Sequence, residues 1–175
     1  MHNAALGGHV FVIDALAAKF GGNAYAAVEI ATALSRRDDV RRVVVITRPD
    51  SIVHRGCRDL PDGTVVTVRS TLGPELAQRL AWETVRLPRL LRRHGAAGAF
   101  THSGMLPRSL PVRFVCLQAN PKPYEEPEGR AQALRRWAFA RTARAACATY
   151  VPSLHVRDLV GPLPRVRVVP FGVMG

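Results

Sequence analysis

The chain has little of several things that would announce a function. It holds three cysteines in 175 residues, Cys57, Cys116 and Cys147. They lie far apart and lack metal-ligand spacing, which points to a reduced compartment and no structural zinc. Aromatic residues make up only 6% and no RNA- or DNA-binding motif is present, which argues against nucleic acid as the partner. No uncharged apolar run approaches the roughly 18 residues that a spanning helix needs. The opening stretch, Met1-His2-Asn3-Ala4-Ala5-Leu6-Gly7-Gly8, has neither the basic start nor the apolar core of a signal peptide. A cytoplasmic location is therefore expected. Lysine is nearly missing, with Lys19 and Lys122 alone.

Acid is also scarce. Asp and Glu total 13 against 25 Lys and Arg, a formal net charge of +12. An excess of this size points toward phosphates, whether of nucleic acid, lipid headgroups or a phosphorylated ligand. An arginine-rich bias on solvated helix faces explains the charge equally well. What is abundant is Val, Leu, Ile and Ala. Hydrophobic residues are 47% of the chain, which excludes disorder as a whole, and the length suits one domain.

Apolar runs alternate with helical patterns. His9 to Asp14 and Val43 to Thr47 read as strands buried on both faces. Further strands are expected at 64–68, 97–101, 112–117, 147–151 and 165–169. Helices are expected from about Ala24 to Arg37, from Gly73-Pro74-Glu75 to His94-Gly95, over 130–145, and briefly after a Ser153 cap. Leu76, Leu80, Leu87 and Leu91 form the apolar stripe of the second helix, with Arg79, Arg86, Arg89 and Arg93 off it and a kink at Pro88. Residues 51–62 read as loop. Short strands alternating with helices specify an α/β protein, a Rossmann-like doubly wound parallel sheet. Ligands of such sheets bind at the C-terminal ends of the strands, so the site belongs to residues 14–23, 47–52, 102–108, 118–128 and 151–154.

Three groups in those loops could carry chemistry. Lys19-Phe20-Gly21-Gly22-Asn23 lies between the first strand and the first helix. Two glycines there allow close approach of a ligand, and the helix start favours an anion. The same glycines also suit a plain turn, and the spacing matches neither Gly-x-Gly-x-x-Gly nor a phosphate-binding P-loop. That mismatch weighs against a dinucleotide-binding domain. His102 follows the fourth strand and could hydrogen-bond a hydroxyl, act as acid or base, or simply cap the next loop. Gln118-Ala119-Asn120-Pro121-Lys122-Pro123-Tyr124 follows the fifth strand, where amides suit sugar hydroxyls and prolines suit turns. Glu75 and Glu83 stand at the E-x7-E spacing of many sugar transferases. Glu75 instead fits the helix dipole and Glu83 fits a neighbouring Arg.

Taken together the pieces resemble a family. Gly21-Gly22-Asn23-x-Tyr25-x-x-x-x-Ile30-x-x-x-Leu34 opens the first helix, His102 follows strand four, and Tyr150-Val151-Pro152-Ser153 precedes a short helix. The end is Val166-Arg167-Val168-Val169-Pro170-Phe171-Gly172-Val173. This looks like the N-terminal, acceptor-side domain of a GT-B glycosyltransferase of the family 4 type. The closing Val-x-Val-Val-Pro-x-Gly-Val is its most specific piece. The resemblance implies residues 1–8 as a flexible tail, 9–170 as the Rossmann-like domain, and 171–175 as the start of a hinge into a C-terminal donor domain.

The resemblance also implies a retaining, metal-independent enzyme that uses a nucleotide-sugar and no further cofactor, and whose isolated N-terminal half is inactive. Gly21, Gly22 and Lys19 would meet the donor phosphate, and His102 would be the catalytic group facing the sugar. Asn23, Gln118, Asn120 and Tyr124 would meet the acceptor. Many members carry His after strand five, where this chain has Gln118. The alternative is a non-catalytic basic domain that binds nucleic acid or a phosphorylated ligand. Arg79, Arg86, Arg89, Arg92 and Arg93 beside Trp82, with Arg135, Arg136, Arg141 and Arg144 on a second helix, could also hold the chain peripherally on the anionic inner membrane face.

Overall fold

The computed structural model describes residues 8–18, 21–61, 63–69, 75–102, 104, 106, 110–119, 125, 129–161 and 165–170, with the side chains of 75–77 and 131 excepted. Seven strands form one sheet: β1 (His9–Asp14), β2 (Val40–Thr47), β3 (Gly63–Thr67), β4 (Gly98–Thr101), β5 (Phe114–Leu117), β6 (Ala148–Val151) and β7 (Val166–Val168). Their order is β3-β2-β1-β4-β5-β6-β7, and every neighbouring pair is parallel. The helices given by the described residues are α1 (Gly21–Ser35), α2 (Ile52–Gly56), α3 (Glu75–Ala81), α4 (Leu87–Arg93), α5 (Arg130–Ala145) and α6 (Leu154–Val160). This is the expected Rossmann-like doubly wound α/β architecture.

Parallel strands buried on both faces explain the unbroken Val and Ile runs. Along β2, Val44 and Ile46 join one core with Val10, Val12, Leu87, Leu91 and Phe114. Val43 and Val45 join the opposite core with Ile13, Ala24, Ala27, Ala31 and Val53. Alanines on the buried side of α1 let that helix lie close to the sheet. A third, smaller core sets Val156 and Val160 of α6 on Val151, Val166 and Val168. Beside Ile30 and Leu34 of α1, Phe11, Phe100, Val115 and Tyr150 line an open apolar groove of about 480 Å³.

Two expectations need correction. Residues 51–62 contain a helix, α2, because Ser51 Oγ accepts the His54 N–H at 3.0 Å and caps it. A five-residue helix leaves no periodicity to read. Helix α1 starts at Gly21, so the two glycines form its first turn rather than a preceding loop. Pro88 disturbs the long helix, as expected, without ending it. It has no N–H for the Thr84 carbonyl, and the turn before it, Trp82–Arg86, widens into a π segment in which the Leu87 N–H bonds the Trp82 carbonyl. Other signals act as read. Gly95 ends α4 with φ +58°, and Ser153 Oγ accepts the Val156 N–H at 3.2 Å at the start of α6. Among the described residues no helix is long and apolar enough to cross a membrane.

Leu91 is fully buried between α4 and the sheet, whereas Leu134 on α5 is 64% exposed. Leu91→Ala is expected to lower unfolding free energy by about 2–5 kcal/mol, and Leu134→Ala by less than about 0.5. Urea denaturation of both variants checks this.

Candidate functional site

Strand order reverses between β1 and β4. From β1 the chain leads toward β2 and β3, and from β4 it leads toward β5, β6 and β7. The carboxyl ends of these two strands therefore flank a crevice, the usual ligand position in open parallel sheets. Asp14 ends β1 and is paired in register with Thr101, which ends β4. Thr101 Oγ1 donates to Asp14 Oδ2 at 3.2 Å, and the Leu16 N–H donates to Asp14 Oδ1 at 3.3 Å. The His102 N–H continues the ladder onto the Asp14 carbonyl at 3.0 Å.

Burial sets the protonation of this cluster. Asp14 is 1% exposed, and desolvation raises its carboxyl above the ordinary value. The Leu16 and Thr101 hydrogen bonds and the charge of Arg79 oppose that rise. His102 is 8% exposed, and burial pushes its imidazole down to about 4. It is therefore neutral at pH 7. Its ring stands edge-on to Phe100, centroids 5.0 Å apart. Neither ring nitrogen meets a hydrogen-bond partner among the described residues. An unpaired buried donor or acceptor costs about 1–3 kcal/mol, so a histidine left this way is suited to meeting a ligand.

The α1 end adds a second element. Gly21 has φ +61°, a conformation that disfavours any side chain. Gly22 has no such constraint, and a Cβ added to either residue would meet nothing within 4 Å. Both glycines are exposed, and no acidic residue occupies the first turn of α1. The positive end of the helix dipole thus meets no acidic side chain within its own first turn, the setting in which helix starts favour an anion. Asn23 is half-buried in the same turn.

Arg79 and Glu83 form a third element. Their ion pair, Nε to Oε1 at 3.2 Å, joins a half-buried Arg79 to a fully buried Glu83, with side-chain exposures of 17% and 0%. The expected Arg partner for Glu83 is thus present. Arg79 does not belong to a solvated face, however, and its charge reaches Asp14.

The proposed residues divide. Gly21, Gly22, Asn23 and His102 belong to elements that meet at the crevice. Gln118 ends up elsewhere in its bonding: it is 1% exposed, and its Nε2 donates to the Phe139 carbonyl of α5 at 2.9 Å. It ties α5 to β5. Lys19, Asn120 and Tyr124 lie outside the described residues, as do residues 171–175. Sequence reasoning missed Asp14, Thr101 and Arg79. Asp14 had a signal, as an acid closing an apolar strand at the ligand edge. Thr101 and Arg79 had none without the register. No protein-family model matches the chain, and no curated protein matches it at a significant level.

The two buried groups make opposite contributions to acid stability. A His whose folded value lies below its ordinary 6.5 is protonated first in the unfolded chain. Stability is therefore lost as pH falls from about 6.5 to about 4, by roughly 3 kcal/mol. A raised Asp14 is protonated first in the folded chain, so it adds stability as pH falls through its folded value toward 3.8. His102→Gln is expected to flatten the acid loss, and Asp14→Asn to deepen it. Urea midpoints taken between about pH 7 and pH 4 check both signs.

Proposed function

We propose that this chain is the acceptor-side half of a retaining glycosyltransferase that uses a nucleotide-sugar. The observation that carries the reading is that β1 leads into the pair of exposed glycines opening α1 while its neighbour β4 leads into a buried, neutral His102, whose ring nitrogens meet no partner among the described residues. The family 4 likeness of the Gly21-Gly22 segment and of Val166 to Val173 supports the same reading.

In this proposal the α1 amides at Gly21 and Gly22 stabilise the diphosphate as charge develops on the leaving group. His102, neutral near pH 7, donates or accepts one hydrogen bond at a sugar hydroxyl. Asp14 and Thr101 act through the backbone, fixing where the ends of β1 and β4 stand. Asn23 contacts the acceptor, and Lys19, Asn120 and Tyr124 keep the roles implied by the resemblance. The reaction requires no metal. Cationic groups on a donor domain complete the diphosphate site, so the 175 residues alone are inactive. The enzyme works in the cytoplasm.

The test is transfer from a panel of nucleotide-sugars, by this chain alone and by the chain joined to the donor domain of its own gene. Transfer is expected only from the joined protein. Gly22→Ala is expected to keep or raise thermal stability, since Ala is the better helix former and its Cβ meets nothing. In the joined protein the same change should slow transfer at least about tenfold by crowding the phosphate. Turnover by the 175 residues alone, a gene without a donor domain, or an inactive joined protein would overturn the reading.

A further inference from the structure

Beside the crevice, a second depression runs between edge strand β3 and the helical stretch from α3 to α4. Its volume is about 940 Å³, within the range of small-molecule sites. Six arginines line it: Arg48, Arg69, Arg79, Arg86, Arg89 and Arg93. None of its described lining residues is acidic. The rest of the wall is largely apolar, with Leu16, Val66, Val68, Trp82, Val85 and Leu90.

The lining has an order along the groove. Arg48 follows β2 and Arg69 follows β3, and the Val68 N–H bonds the Thr47 carbonyl at 2.8 Å, so these two arginines stand on adjacent chain ends. Arg48 Nε donates to the Leu16 carbonyl at 3.3 Å, which fixes its stem near the end of β1. Arg79 is held by Glu83 at the same level, close enough to influence Asp14. From there the wall follows the helix to Arg93 and His94, a run of about 20 Å at ordinary helical rise. The positive field persists to that far end, where Arg93 adds to burial in lowering the His94 pKa.

Six cations around an apolar floor, with one carboxylate already engaged, suit an anion that carries an apolar chain. We propose that this groove binds a single phosphorylated amphiphile. Its phosphate or diphosphate sits among Arg48, Arg69 and Arg79, and its apolar chain lies along Val66, Val68, Trp82, Val85 and Leu90. Guanidinium groups match phosphate bidentately, and arginine stems cover the apolar chain. Nucleic acid fits less well, because Trp82 is the one Phe, Tyr or Trp among the described lining residues and a stacking surface needs several. The proposal goes beyond the transferase reading and is measured without sugar transfer, so the two are decided separately.

Trp82 and Trp137 are the two tryptophans of the chain, and Trp137 is exposed on α5 beneath the Arg141 guanidinium. In a Trp137→Phe background, fluorescence therefore reports on the groove alone. Octyl phosphate below its micelle concentration is titrated against octanol, with inorganic phosphate as competitor and neutral or anionic lipid vesicles as separate arms. The expected result is a saturable blue shift with octyl phosphate, at least about tenfold tighter than with octanol and relieved by phosphate. Arg69→Gln with Arg86→Gln, both at exposed positions, should weaken it about tenfold while leaving circular dichroism unchanged. Equal responses to octyl phosphate and octanol, or an unchanged affinity in the double variant, would overturn the proposal. A shift seen only with anionic vesicles would replace it with surface attachment. Binding of a single-stranded oligonucleotide without any response to octyl phosphate would replace it with nucleic-acid binding.

Discussion

The parallel pairing of β1 with β4 is the contact on which the rest of the molecule depends. Phe11, Val12, Ile13 and Asp14 stand opposite Gly98, Ala99, Phe100 and Thr101. Val12 and Ile13 are buried in opposite cores, so a slip of one residue would exchange the two and is strongly opposed. With the register held, Asp14 and Thr101 finish at the same height and share a buried hydrogen bond. Because the chain leaves these strands in opposite directions, no crossover closes the space above them. A crevice at this point follows from topology, and the residues at the two strand ends become functional candidates before their chemistry is considered.

Charge is arranged around that crevice in two layers. The inner layer is Asp14 and Glu83, both buried, with the half-buried Arg79 between low dielectric and the groove; an unpaired charge there would be costly. The Arg79–Glu83 pair relieves that cost and brings one cation near Asp14. The outer layer is the set of arginines along the groove, of which Arg69, Arg86, Arg89 and Arg93 are exposed, and no acidic residue is among its described lining residues. Arg79 belongs to both layers and connects the strand ends to the groove. The net charge of +12 thus includes one organised component, in addition to arginines such as Arg135 and Arg144 that lie exposed on α5.

Much of the architecture was legible because it rests on local, periodic signals. Val-rich runs specify buried parallel strands, Ser153 specifies the start of α6, and His94-Gly95 specifies the end of α4. Helix α2 was not legible, since it depends on one Ser51 cap and too few residues to show a period. The site was legible in part. Two glycines after β1 and a histidine after β4 can be placed at the ligand edge by topology alone. Gln118 sits at that edge too, yet its bond is to the Phe139 carbonyl, 21 positions away, which no local pattern encodes.

The sequence by itself determined the alternation of strand and helix, the parallel sheet and the edge where ligands meet it. Those features follow from residue periodicity and turn chemistry, which act over a few positions. Only the tertiary structure decided that Asp14 meets Thr101 across 87 positions, that His102 is buried and neutral, and that Arg79 turns inward while other arginines converge on one groove. Burial and the distances between charges belong to packing. A linear pattern states which residues carry charge, but only the packed chain sets the dielectric and the neighbours that make that charge act.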